Sequence, residues 1–252
     1  MRFFVSLSTL SLILLQISSS FAKLPDDIIK CEISDFLCIR DRAQFVLTKY
    51  YMGNEQMGLK SLDPLKVEAM KITETTEEKR NVNINLNFHN LNVYGTRKAT
   101  VNQLKITNRT TKNFEIDFRA TFPRIELIGE YTVNGKVLLL PITGAGKCNI
   151  TGEIMKLTVN LQGNFVQHNG KDYLFIKRIG PSACEISHAY ISLENLFNGN
   201  KLLGDGMNRF LNENWAELWK ELHPAFIQTF GNVGLDIANN VFQRNPVSKL
   251  FV

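Results

Sequence analysis

The stretch from Met207 to Val241 constrains this chain more than any other. Met207, Phe210, Leu211, Trp215, Leu218, Trp219, Leu222, Phe226, Phe230, Val233, Ile237 and Val241 recur in steps of three or four, with two adjacent pairs. That is the period of one broad apolar stripe on an α-helix. Arg209, Glu213, Glu217, Lys220, Glu221 and Gln228 fall away from the stripe and are expected to meet water. Asp205 is placed to cap the start, its carboxylate accepting from the free amides of the first turn, and Asn245-Pro246 stops the run. Pro224 cannot donate to the helical ladder, so a kink or break is expected near Glu221 to His223. About 36 residues at roughly 1.5 Å each span on the order of 50 Å. An amphipathic rod of that length needs an equally long apolar partner.

The partner lies upstream, where the apolar period changes to two. Val82, Ile84, Leu86 and Phe88 alternate with asparagines, and Leu91 and Val93 take the opposite phase, which predicts a bulge near His89-Asn90. Phe114, Ile116, Phe118, Ala120 and Phe122 repeat the alternation. Ile125, Leu127, Gly129, Tyr131 and Val133 then lead into Asn134-Gly135, which reads as a hairpin turn, with residues 137–140 returning. A second hairpin is expected at Asn169-Gly170, between Ile154–Leu161 and Tyr173–Ile179, while Gly144-Ala-Gly146 reads as a bend in a strand. Ahead of the strands, Ile39, Ala43, Leu47 and Tyr50 keep helical spacing from Asp35 until Gly53-Asn54, and Asp63-Pro64 makes a turn into the first strand. Long antiparallel strands in one meander make a large curved sheet whose apolar face needs a cover, and the C-terminal helix is that cover. The fold class is α+β.

Residues 1–22 read as a signal peptide, with Arg2 as the positive end, Phe3 to Ile17 as the apolar run and Ser20-Phe21-Ala22 before the cleavage point. Residues 23–252 are expected to be a single secreted, extracellular domain. No later stretch approaches the roughly 20 apolar residues a bilayer requires, so stable membrane insertion is not expected. Four cysteines in an oxidising compartment allow three pairings. Cys31 and Cys38 enclose a short loop and form the favoured local pair, which leaves Cys148 and Cys184 as a long-range clip between strands. Cys184 and His188 supply only two metal ligands, so no metal site is expected. Asn108-Arg-Thr110 and Asn149-Ile-Thr151 are glycosylation sequons, the first in a polar, turn-like stretch, the second beside Cys148.

The formal net charge of +5 is carried by dispersed basic residues, in pairs such as Lys79-Arg80 and Lys177-Arg178, which argues against nucleic acid. Gly-x-Ser-x-Gly, His-Glu-x-x-His, the phosphate-binding glycine loop and a complete dinucleotide fingerprint are all missing from the sequence. His89, His168, His188 and His223 stand alone. No catalytic residue, cofactor or enzymatic activity is expected.

The leader, Cys31-x6-Cys38, Leu62-Asp-Pro-Leu65 and above all Asn195-Leu-Phe-Asn-Gly-Asn200 followed by Leu203-Gly-Asp-Gly-Met-Asn-Arg-Phe-Leu-Asn-Glu-Asn-Trp215 resemble the takeout and juvenile hormone binding protein family of insects. The C-terminal block is closer to the takeout branch. The resemblance implies a long helix wrapped by a strongly curved antiparallel sheet, a TULIP-like super-roll, with an internal apolar tunnel. It implies non-covalent carriage of a small lipophilic ligand, such as a juvenile hormone-like terpenoid, a fatty acid or a related lipid, by a monomer with a cell-surface receptor as candidate partner. Cys184 matches a cysteine that the hormone carriers pair with their C-terminal helix; that helix has no cysteine here, and Cys148 is the available partner.

The candidate tunnel wall is Phe88, Phe118, Leu127, Tyr131 and Phe175 from the strands, with Trp215, Trp219, Leu222, Phe226 and Phe230 from the helix. Core and tunnel are made of the same residue types, so some of these are expected to be packing residues, and Tyr131 has a hydroxyl to donate. The second reading is a lipid-surface or receptor-interacting protein without a stable internal ligand, displaying its 17 Phe. Basic residues that form no stripe favour the carrier.

Overall fold

The computed structural model describes residues 24–73, 82–107, 109–110, 112–138 and 140–252. The expected signal peptide and Asn108 lie outside them. The described strands are β1 (Leu65–Thr73), β2 (Val82–Tyr94), β3 (Thr100–Thr107), β4 (Asn113–Val137), β5 (Leu140–His168), β6 (Lys171–Glu185) and β7 (His188–Leu193). They form one antiparallel sheet in the order β1-β2-β4-β5-β6, with β3 added to β4 and β7 to β5.

Two strands make the sheet's shape. β4 runs for 25 residues and β5 for 29, against a usual strand of 3–10, so their hairpin is a spine that serves two different sets of partners. The first half of β4 pairs with β3 and the second half with β2; the first half of β5 pairs with β7 and the second with β6. Strand twist accumulated over such lengths curls the sheet strongly. The bulge expected in β2 is present: the register slips between His89 and Asn92, with Asn90 at φ 51. The Asn169-Gly170 hairpin is also present, both residues at positive φ as a tight primed turn requires.

The other hairpin turns later than expected. Val137 pairs with Leu140, so the strands run on past Asn134-Gly135, which lies inside β4. Gly135 is needed there for contact, not for a turn: at φ 146, a Cβ on it would stand 2.2 Å from the Asn83 carbonyl oxygen. Gly144 and Gly146 are likewise strand glycines at a close approach, with Leu196 Cα and the Glu194 carbonyl oxygen 3.0 and 2.5 Å from their would-be Cβ atoms.

Four α-helices are described: α1 (Phe36–Lys49), α2 (Lys201–Glu213), α3 (Trp215–Phe242) and α4 (Val247–Leu250). Asp35 caps α1 by accepting from the Cys38 amide, and the Cys31–Cys38 disulfide staples the preceding segment to that helix. The long C-terminal run is interrupted, but at Asn214 and not at Pro224, which lies within α3. Pro224 orphans the Lys220 carbonyl, and the His223 ring, as its Nδ1–H tautomer, donates to that oxygen at 3.0 Å. The side chain replaces the missing amide, and the helix continues. Asn200 rather than Asp205 caps α2, its side chain accepting from the Leu203 amide, because the helix starts a turn earlier than the apolar stripe.

Asparagines on these helices stitch them to the sheet. Asn208 and Asn212, one turn apart on α2, each accept from and donate to the backbone of a β7 residue, Leu193 and Ile191 respectively. Asn239 of α3 does the same to Ile176 of β6 at 2.8 Å in both directions. Each carboxamide acts as a one-residue strand, satisfying edge groups that burial under a helix would otherwise orphan. Two apolar clusters result. The larger joins β1, β2, the second half of β4, β7 and α2; the smaller joins α1, β3, the outer ends of β4 and β6, and the end of α3.

Candidate functional site

Between the concave sheet and the C-terminal helices lies a cavity of about 510 Å³. The helical side of its wall runs from Leu211 through Trp215, Leu218, Trp219, Leu222, Phe226, Ile227, Phe230, Gly231 and Gly234 to Ile237. The sheet side is made by inward residues of six strands, among them Leu65 of β1, Leu86 and Phe88 of β2, Phe118 and Leu127 of β4, Met155 and Leu157 of β5, Ile179 of β6 and Ile191 of β7. The burial of α3 reflects this void. Of its 28 residues only Leu218 and Asn239 are fully buried, although its apolar stripe faces the sheet. Its large side chains look into open space, not into a filled core.

The aromatics form a continuous ladder along this wall. Trp219 lies 5.8 Å from Phe226, Phe226 is 6.2 Å from Phe230, and Phe88 reaches Phe226 across the cavity at 6.3 Å between ring centres. Trp215, at the α2–α3 junction, packs its ring 4.9 Å from His188, which in turn meets Tyr190 at a tilt, 4.4 Å between ring centres. Heteroatoms on side chains are few: Thr96, Thr151, Ser182 and Cys184 are the hydroxyl and thiol residues of the wall. Burial pushes the Cys184 thiol up to about 11, so at neutral pH it is an uncharged SH group. A wall of this composition holds apolar ligands by excluding water, with few groups to fix polar ones.

Of the ten wall residues expected from the sequence, Phe88, Phe118, Leu127, Trp215, Trp219, Leu222, Phe226 and Phe230 line the cavity. Tyr131 does not. It is fully buried in the larger cluster, its hydroxyl donating to the Glu194 carbonyl at 2.8 Å, and burial raises its pKa to about 12. Its hydrogen bond fastens the segment before Leu196 to the sheet. Phe175 does not line it either: its neighbours Leu174 and Ile176 point into the smaller cluster, so strand alternation turns Phe175 to the opposite face. Gly231, Gly234 and Ile227 lie outside the apolar stripe read from the sequence, whereas Met155, Leu157, Val159 and Leu161 of β5 alternate at a period of two, a signal that could have found them.

The expected Cys148–Cys184 disulfide is not formed, and both thiols are free. Cys184 lies opposite Leu157 on β5, nine residues beyond Cys148 on that strand. At ~3.3 Å per residue the gap is about 30 Å, several times what a disulfide bridges. The pairing assumed shorter strands; in the observed register Cys148 faces Leu193 of β7 instead. Asn149, the second sequon, is exposed on the outer face of β5. Among the described residues no group of three or more His, Cys, Asp or Glu is placed to hold a metal ion, and no helix is long and apolar enough to cross a membrane.

Comparison with known proteins agrees with this geometry. The family model described as haemolymph juvenile hormone binding protein matches residues 10–252. The circadian clock-controlled protein daywake of Drosophila melanogaster is 24% identical over 230 residues, covering 90% of this chain and 88% of that protein, and its Drosophila yakuba counterpart is 23% identical over the same share. The crystal structure of Epiphyas postvittana Takeout 1 superimposes with a TM-score of 0.75 at 23% identity, over 88% of this chain and 98% of that one. The long helix in a curved antiparallel sheet is therefore a fold shared with a solved structure.

Proposed function

The chain belongs to the takeout and haemolymph juvenile hormone binding protein family, and from that premise we propose that it is a secreted carrier holding one elongated hydrophobic molecule non-covalently in the cavity under α3. The observation that carries the reading is the cavity itself, about 510 Å³ of space walled almost wholly by apolar side chains. An apolar surface facing water over that area is costly, at roughly 25 cal/mol per Å², and a ligand that replaces water there recovers that energy. Length argues for an extended chain over a compact terpenoid. From Trp215 to Ile237 the wall advances 22 helical steps, about 33 Å at ~1.5 Å each. The sparse hydroxyls and the neutral thiol suit a ligand with a long hydrocarbon part and a single weakly polar group. The Cys31–Cys38 disulfide supports export to an oxidising compartment.

The test is native mass spectrometry of protein secreted from insect cells, followed by lipid extraction, alongside titration with fluorescent fatty acids and a juvenile hormone analogue. A one-to-one adduct with a long-chain lipid is the expected result. Protein that emerges empty, binds none of these molecules and instead floats with anionic vesicles in a salt-sensitive way would replace the carrier by the lipid-surface reading.

A further inference from the structure

We infer that Gly234 sets how long a chain the cavity accepts, by leaving the bore open where α3 meets the inner end of the sheet. The inference rests on the carrier reading and concerns which ligands fit. Two glycines stand within α3, Gly231 and Gly234, and a glycine inside a helix is a poor choice relative to alanine because it loses more backbone freedom on folding. Each therefore calls for a reason. For Gly231 the reason is packing: a Cβ there would stand 2.3 Å from Ile179 Cδ1, so the glycine lets α3 and β6 approach.

Gly234 has no such reason. A Cβ built on it meets nothing within 4 Å, and its φ is an ordinary helical one, so neither neighbours nor backbone conformation require glycine. Yet it lines the cavity, four residues after Phe230 and three before Ile237 on the same stripe, and it is exposed although the residues flanking it on that stripe are partly buried. What its missing side chain leaves free is the bore. Leu235 both lines the cavity and packs against the smaller, filled cluster, and Ala238 packs there too, so the cavity closes at about Ile237. A large side chain at 234 leans toward the preceding turn, as helical side chains do, and closes the space between Phe230 and Ile237. The open run along α3 then stops at Phe230, 15 steps from Trp215, or about 22 Å instead of about 33 Å.

The experiment compares the wild type with Gly234→Ala, Gly234→Leu and Gly234→Phe, with Asn232→Phe, on an exposed position, as the control for a bulky residue on the same turn. The probes are radiolabelled tetracosanoic acid, whose extended chain exceeds the shortened run, and radiolabelled dodecanoic acid, which fits within it, with thermal unfolding read in parallel. Gly234→Ala is expected to raise Tm by a few degrees and leave both affinities nearly unchanged. Gly234→Phe and Gly234→Leu are expected to weaken tetracosanoic acid about tenfold or more, since several methylenes lose their place, while dodecanoic acid changes little. Equal loss of both probes, or no loss of either, in folded variants overturns the inference; if Gly234→Phe does not fold, Gly234→Leu decides. A wild type that binds neither probe overturns the carrier reading itself, a result distinct from either of these.

Discussion

The two apolar clusters are built from the same residue types and do different work. At the end of α3, Phe114, Ile116, Leu174 and Ile176 are at most 5% exposed and belong to the cluster that Ala238 and Phe242 pack against, and none of these six lines the cavity. Half-way along the same helix, Phe226 and Phe230 are only partly buried, line the cavity with Phe88 and Phe118, and stack on one another with their rings nearly parallel. One end of the helix is anchored and the other roofs a void. Close packing gives the anchored end its stability, since each side chain there has neighbours on all sides, whereas side chains around a void forgo part of their dispersion contacts. The difference implies that stability and ligand capacity are separable along one helix.

Truncation should expose that separation. Phe114→Ala removes a ring that is 1% exposed in the filled cluster and is expected to cost about 3–5 kcal/mol in urea unfolding, with affinity for cis-parinaric acid retained in the folded fraction. Phe226→Ala, against the void, is expected to cost less than half as much, about 1–2 kcal/mol, while weakening the same probe by about tenfold. If the two variants lose stability equally and Phe226→Ala binds normally, Phe226 belongs to the core and the comparison fails.

The asparagine stitches come next in size. Replacing Asn239 by Ala strands the amide and carbonyl of Ile176, which is itself fully buried, and is expected to cost about 2–4 kcal/mol. Replacing Asn212 strands the same pair of groups on Ile191, at a part-buried edge that water can reach, so about 1–2 kcal/mol is expected. Hydrogen exchange separates the outcomes: Asn239→Ala should lower protection of the Ile176 amide, and Asn212→Ala that of Ile191. Unchanged protection at Ile176 would mean that the anchored end is not held by this contact.

Much of the architecture could be read from period alone. The alternation around Phe88 and Phe118 and the three-four stripe from Trp215 to Phe230 put those residues on one wall, and the phase change after Phe88 located the β2 bulge. What failed depended on length or on space. Strand ends carry no periodic mark, so β4 and β5 ran longer than expected, the Asn134-Gly135 pair fell inside β4, and the register put Cys148 opposite Leu193. Phe175 failed because register shifts in the β5–β6 pairing change which residues face inward. Pro224 did not break its helix because the adjacent His223 supplies a donor, a compensation visible only in three dimensions. The asparagines of the C-terminal block carried a resemblance in sequence; their work as surrogate strands needs the partner edges to be seen.

The smallest effect expected is chemical, and it uses the two free thiols as reporters of the two environments. Cys148 is 2% exposed within the larger cluster and Cys184 lines the cavity, and burial raises both from 9.0 to about 11. Thiolate is the species that reacts, so labelling by a small maleimide should rise about tenfold per pH unit from neutral pH towards pH 10 at Cys184, where reagent can enter the cavity. Cys148 should label only as the protein unfolds. In the unfolded chain both thiols ionise near their ordinary value, so between about pH 9 and 11 the native state binds more protons than the unfolded state. Stability from these groups is complete below pH 9 and is lost as pH rises through that window. Cys148→Ala should therefore flatten the alkaline decline in Tm, and Cys184→Ala should do so as well. Filling the cavity with cis-parinaric acid is expected to slow Cys184 labelling several-fold and leave Cys148 unchanged. Equal protection of both would show that ligand tightens the whole fold, and the independence of the void from the core around it would have to be given up.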